Sequence, residues 1–174
     1  MTSDIYEMKL CWGARPAEIN NAAENVKDFL SAIFDLGPSF QNWFLPAKSV
    51  GKLKRMEEID IRNVDRIKLI LEKSIQYASD GDKPLDELGY RIRLLNSDVE
   101  KNINSNITIG IGRNSNFLDP DGQNIVVFET SSNSFIVDES AMKSLFQAAN
   151  NIWRAKSGHF IRKNNDKTCF LCYI

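Results

Sequence analysis

The chain carries one histidine, three cysteines and five prolines in 174 residues, and no apolar run near the roughly 20 residues of a membrane-crossing helix. Each scarcity excludes something. A single histidine, His159, rules out a multi-histidine metal centre. Cys11, Cys169 and Cys172 are too few, and odd in number, for a disulfide framework. Excess charge is missing too. The 22 Lys and Arg stand against 23 Asp and Glu, so composition offers neither a basic nucleic-acid footprint nor an acidic imitation of one. Met1-Thr2-Ser3-Asp4 lacks the basic start and apolar run of a secretory signal, which makes cytoplasmic residence the default expectation. What is present suffices for a core. With 43% hydrophobic residues, a domain spanning 1–174 can bury its interior without disulfides or metal, so no cofactor is expected.

Periodicity supplies the elements. Residues 5–12 alternate, placing Tyr6, Met8, Leu10 and Trp12 on one strand face and Ile5, Glu7, Lys9 and Cys11 on the other. Pro16 suits a first helical turn, and Ile19, Ala22, Ala23, Val26, Phe29, Leu30, Ile33 and Phe34 recur at three-four spacing until Gly37-Pro38 stops the helix. Ser39 to Phe44 reads as a short helical turn and Lys48 to Glu58 as a polar surface connection. A second amphipathic helix is predicted from Asp60 to about Ser79, ended by Asp80-Gly81-Asp82-Lys83-Pro84.

Strands are predicted at 90–95, 107–111 and 125–130, the last two as an antiparallel hairpin around turn-rich residues 114–123, with 135–137 a further candidate. Asp138 caps a last helix that buries Met142, Leu145, Phe146, Ala149, Ile152 and Trp153 and ends near Gly158. Strands at 160–162 and 169–173 follow. This order predicts an α+β fold, a mainly antiparallel sheet with two long helices and a C-terminal helix packed on it. Trp12 and Trp153, each in phase with an apolar face, belong to its core.

The chemistry-bearing motifs are weak one by one. Cys169-Phe-Leu-Cys172 has the gap of a metal or redox pair, but a structural zinc needs about four ligands and the apolar spacer suits ordinary strand packing. Gly110-Ile-Gly112 lacks the third glycine of a dinucleotide fingerprint. Asp119-Pro-Asp121-Gly122 lacks the twelfth-position glutamate of a calcium loop and reads as a tight turn. Asp98 and Glu100 make a carboxylate pair only beside a third acid in a pocket. His159, in a predicted loop, is the one acid-base candidate. Beside Cys172 or a carboxylate it would make the chain a small enzyme.

Tyr6, Trp12-Gly13-Ala14-Arg15, the helix from Ala22 to Phe34, and Pro38 followed by Trp43 resemble the start of the immunity protein 52 family, most closely over residues 6–56. In that family a W-G-x-R turn leads into a long helix, and a tryptophan follows a helix-ending proline. Members tend to be acidic, whereas this chain is nearly neutral. The resemblance implies a bacterial antidote to a polymorphic toxin passed between competing cells, as by type VI secretion. The toxin would often be a nuclease of restriction-endonuclease type. Such a protein inhibits by tight stoichiometric binding, without catalysis, and contacts neither nucleic acid nor membrane itself.

A nuclease groove is basic, so a locally acidic contact is expected. Asp80, Asp82, Asp86 and Glu87, offset by Lys83, form the densest acidic run, and Trp43 is the candidate aromatic anchor. Arg15 either pairs with a carboxylate, caps a carbonyl or touches the partner. Residues 151–174 carry five basic side chains against Asp166 alone, which reads as a soluble edge.

Overall fold

The computed structural model describes residues 4–46, 56–75, 85, 88–98, 103–113, 124–132, 138–164 and 167–174. Strand β1 (Asp4–Trp12) obeys its alternation: Tyr6, Met8, Leu10 and Trp12 are buried, and the intervening residues face outward. Helix α1 (Ile19–Phe34) buries Ala22, Ala23, Val26, Phe29, Leu30 and Ile33, the predicted stripe. Gly37 then takes φ 136°, a conformation that L side chains rarely adopt, and starts a single 3-10 turn (Pro38–Phe40).

The chain next departs from the helical turn expected over Ser39 to Phe44 and forms strand β2 (Trp43–Leu45). The cause is that Phe40 and Trp43 must both reach the core. Trp43 Nε1 donates to Phe40 O at 2.8 Å, and its backbone pairs with Ile59 of strand β3 (Glu57–Ile59).

Helix α2 (Val64–Glu72) starts later than predicted because Asn63 Oδ1 accepts from Arg66 N at 3.0 Å, a true N-cap. Ile61 is buried from the preceding turn, where Asp60 Oδ1 accepts from Arg62 N. The helix ends at Glu72, and Ser74 Oγ takes the carbonyl of Leu71 at 2.7 Å. The rest of the predicted helix, over 76–79, lies outside the described residues.

Strands β4 (Tyr90–Asp98), β5 (Ile103–Ile111) and β6 (Asn124–Ser132) form an antiparallel meander longer than the sequence predicted, with the expected β5–β6 pairing. The predicted turn at 114–123 and strand at 135–137 also lie outside the described residues. Asp138 caps α3 (Glu139–Trp153) by accepting from Ser140 N at 2.8 Å.

This helix stops at Trp153, not near Gly158, because Arg154 adopts the left-handed φ of 48° and turns the chain into β7 (Ser157–Asn164). Gly158 has a different task. A Cβ there would sit 2.6 Å from Lys9 O, so its bareness lets β7 lie close against β1. Strand β8 (Lys167–Tyr173) completes the hairpin with a bulge opposite Phe160 and Ile161.

Among the described residues, eight strands form one sheet, entirely antiparallel, in the order β3-β2-β4-β5-β6-β1-β7-β8. The fold is the α+β arrangement that the element order predicted. Helices α1, α2 and α3 cover one sheet face, the one bearing Trp12, Leu94, Ile107, Phe128 and Phe160. Trp12 stacks on Trp153 at 5.3 Å and 15°, Phe29 and Trp153 meet in a T-shape at 6.2 Å, and Phe128 makes T-shaped contacts with Phe40 and Trp43. Each such pair adds about 0.5–1.5 kcal/mol beyond the area it buries.

Candidate functional site

The other sheet face lies outward, and none of the described helices covers it. Its rows follow from the strand register. One row runs Phe44, Leu95, Asn106, Glu129, Glu7, Ile161 and Phe170; the next runs Arg93, Thr108, Val127, Lys9, His159 and Tyr173. Most of these side chains are only half-buried, and Phe170 and Tyr173 are 69% and 82% exposed. Ile5, exposed at 41%, and Leu95 line a groove of about 400 Å³ together with Arg93, Asn106 and Glu129.

A polar ladder crosses the middle of this face. Asn106 Nδ2 donates to Glu129 Oε2 at 2.7 Å, and Glu129 sits opposite Glu7 in the β1–β6 register. Glu7 in turn accepts from Lys163 Nζ at 2.8 Å and lies 2.9 Å from His159 Nε2. Two carboxylates facing each other repel, and these partners offset that repulsion. Partial burial pushes the Glu7 carboxyl up, but the hydrogen bonds and charges of His159 and Lys163 outweigh it and hold the group below its ordinary value.

The expectation that His159 sits in a loop is corrected: it lies within β7, in line with Lys9 and Tyr173, its ring edge toward Phe170 at 6.3 Å. Its nearby carboxylate is Glu7. Cys172 is not its neighbour, since Cys172 pairs with Phe160 and packs toward the helix-covered side. Cys11 is on the outward face, so the sheet lies between it and Cys169 and Cys172. Among the described residues no group of three or more His, Cys, Asp or Glu is placed to hold a metal, and none of the described cavities is lined by His159. Among them also, no helix is long and apolar enough to cross a membrane.

Trp43, expected as an anchor, is 0% exposed and belongs to the core. An anchor needs surface, and Trp43 offers none. Asp80, Asp82, Asp86 and Glu87 lie outside the described residues.

Tyr6, Trp12 and Trp153 are core, as expected. The W-G-x-R turn is structural mortar: Gly13 O accepts from Asn124 Nδ2 at 2.9 Å, and Arg15 N donates to Arg113 O at 2.8 Å. The Arg15 guanidinium donates to Trp153 O, the last carbonyl of α3, while lying over the Trp12 ring at 5.6 Å. Of the roles weighed for Arg15, capping a carbonyl is the one that the geometry shows. Pro38 sits in the first position of the 3-10 turn.

Sequence reasoning put Glu7 on the outer face of its strand but did not single it out, and it missed Glu129, Lys163 and the outward apolar residues around them. The one local signal was charge at the centre of a strand, in Glu7 and Glu129, where exposure on one face is the only tolerable placement. No protein-family model matches the chain, and no curated protein matches it.

Proposed function

We propose that the chain is an immunity protein, a stoichiometric and non-catalytic inhibitor of a polymorphic toxin domain of nuclease type, and that it grips the toxin through the outward sheet face. The observation that carries this is the face itself. It is a broad, rigid surface on which Phe44, Leu95, Val127, Phe170 and Tyr173 alternate with charges of both signs. Apolar side chains on either side of a hydrogen-bonded polar ladder can serve as anchors with the ladder between them, and an interface of about 1,200–2,000 Å² needs only a few anchors. The resemblance of the N-terminal quarter to the immunity protein 52 family supplies the kind of partner.

The face is not acidic. Arg91, Arg93, Lys9 and Lys163 stand with Glu7 and Glu129, so binding here would read the toxin's shape and mixed charge and would not imitate its nucleic acid.

The test is co-expression with the C-terminal domain of a long secreted protein encoded beside this chain, scored by rescue of growth and by recovery of a complex; a neighbourhood of metabolic genes would count against the reading. Val127→Glu, at the centre of the face, should leave the melting temperature near that of the parent and weaken the complex about tenfold or more. Neutralising Asp80, Asp82, Asp86 and Glu87 together is the competing arm. Slower association there, with the Val127 variant unaffected, would move the interface to the acidic run. Absence of any complex with the neighbouring domain would remove the immunity reading.

A second reading, a small enzyme, is favoured by one observation, the 2.9 Å approach of His159 to Glu7. It requires that His159→Gln abolish a turnover while the protein stays folded.

A further inference from the structure

A groove of about 440 Å³ opens where the end of α2 meets the edge of β4. One residue accounts for the opening. β2 pairs with β4 only through Phe44 and Leu95, and the next bonded pair of that antiparallel register would set Pro46 against Arg93, where proline has no N–H to give. Arg91 N donates to Ser74 Oγ at 3.0 Å, so strand alternation turns the peptide groups of both Arg91 and Arg93 away from β5 and toward the groove. Among the described residues no strand pairs with β4 between that contact and Leu95, a stretch of about 13 Å at about 3.3 Å per residue. An open edge of that length is a template for a short extended segment.

The side chains along the edge divide by face. Leu45, Ile70 and Ile92 belong to the helix-covered side and give the groove apolar walls, with Pro46 beside them. Arg91 and Arg93 share the outward face of β4, and Lys73 comes from the end of α2, next to the serine that bonds β4. Glu57 is the one carboxylate among the described lining residues, and Arg66 already pairs with it. Lys73, Arg91 and Arg93 have no carboxylate within ion-pair distance among the described residues.

We propose that this groove binds an extended peptide segment of a partner protein in which acidic and apolar residues alternate. The central residue of the segment exchanges both backbone hydrogen bonds with Arg93, as an added strand does. Residues opposite each other in a strand pair share a face, so its carboxylate stands on the outward side beside Arg93, with the next acid along near Arg91. The apolar side chains between them point the other way, onto Leu45, Ile70 and Ile92. Lys73 supplies a further cation at the α2 end. A nucleic acid would satisfy the cations and leave the strand edge and the apolar walls unused, which favours the peptide. The groove shares Arg91 and Arg93 with the outward face, but its chemistry stands whatever partner that face takes, because the edge of β4 defines it and no toxin enters its test.

The probe is a fluorescein-labelled pentapeptide of alternating aspartate and valine, titrated with the full chain and followed by fluorescence anisotropy. Binding should saturate, weaken as sodium chloride rises, and be absent for a lysine-valine peptide of the same length. Methylating the backbone nitrogen of the central aspartate, which removes its bond to Arg93 O, should weaken binding about tenfold. Arg93→Glu, at an exposed position, should weaken it about tenfold or more while the melting temperature stays near that of the parent. An unlabelled thymidine pentanucleotide should fail to displace the peptide. The site would be overturned by lack of saturable binding, by equal binding of the lysine peptide, or by an N-methyl peptide or an Arg93→Glu variant that binds like its parent. Displacement by the pentanucleotide at concentrations like those of the unlabelled peptide would also overturn it, and would assign the cations to nucleic acid.

Discussion

Trp43 and Glu7 show how far a single side chain can be read from its neighbours in sequence. Trp43 stood outside any long apolar period because its strand is only three residues, so nothing local marked it as core. Its burial comes from Phe128, 85 positions away by subtraction, and from the Phe40 carbonyl. Trp43→Ala should therefore cost about 3–5 kcal/mol of stability in chemical denaturation, as a large cavity would. Trp43→Phe should cost clearly less, since it keeps most of the volume and forfeits chiefly the hydrogen bond. By contrast the core roles of Trp12 and Trp153 were legible, because each lies in phase with a long element, whereas Arg15 had three roles open and the carbonyl it caps is 138 residues away.

Glu7 was legible as an outward residue, but its partners were not, since His159 is 152 residues distant and β1–β7 pairing leaves no local trace. Its lowered value means that the folded chain binds that proton more weakly than the unfolded chain does. The stability it contributes is thus complete above the ordinary glutamate range, about pH 4.3, and is lost as pH falls through the lowered folded value. Denaturation of the parent and of Glu7→Gln across that range should show the parent's advantage at neutral pH shrinking with acid. An advantage that stays constant would take the role from Glu7.

At the scale of elements, long periodic helices announced themselves and short ones did not. The span of α1 and the cap of α3 were readable from stripe and Asp138, whereas the end of α3 was misplaced because Gly158 looked like a stop. A glycine signals permissiveness without saying what needs it. Here the need is the close approach of β7 to β1, where a Cβ would meet both Lys9 O and the Leu10 side chain at 2.6 Å. Gly158→Ala should accordingly destabilise by about 1–3 kcal/mol, the usual range for overpacking, although alanine favours strands and helices over glycine. Thermal melting of the pair checks it. A neutral or stabilising change would mean that the two strands can part without loss.

Across the whole molecule, the fold class followed from the order of helices and strands, but the strand order did not. Periodicity fixes which face a residue takes and leaves open which strand lies beside which, so the outward face existed on paper only as scattered residues such as Glu7, Val127 and His159. The consequence of that strand order reaches into time. β1 is made first, yet its two neighbours in the sheet are β6 and β7, from residues 124–132 and 157–164. A nascent chain must hold an apolar strand without its partners until residues 124–132 and 157–164 are made, and closing contacts over such separations is slow. A ribosome-bound chain that has exposed only residues 4–113 should leave the β1 amides open to hydrogen exchange and bind a general chaperone. Protection should arrive in one late step once β7 emerges. The outward face, which needs β1 paired on both sides, would then be absent until that step, and its moment would be set by the emergence of β7.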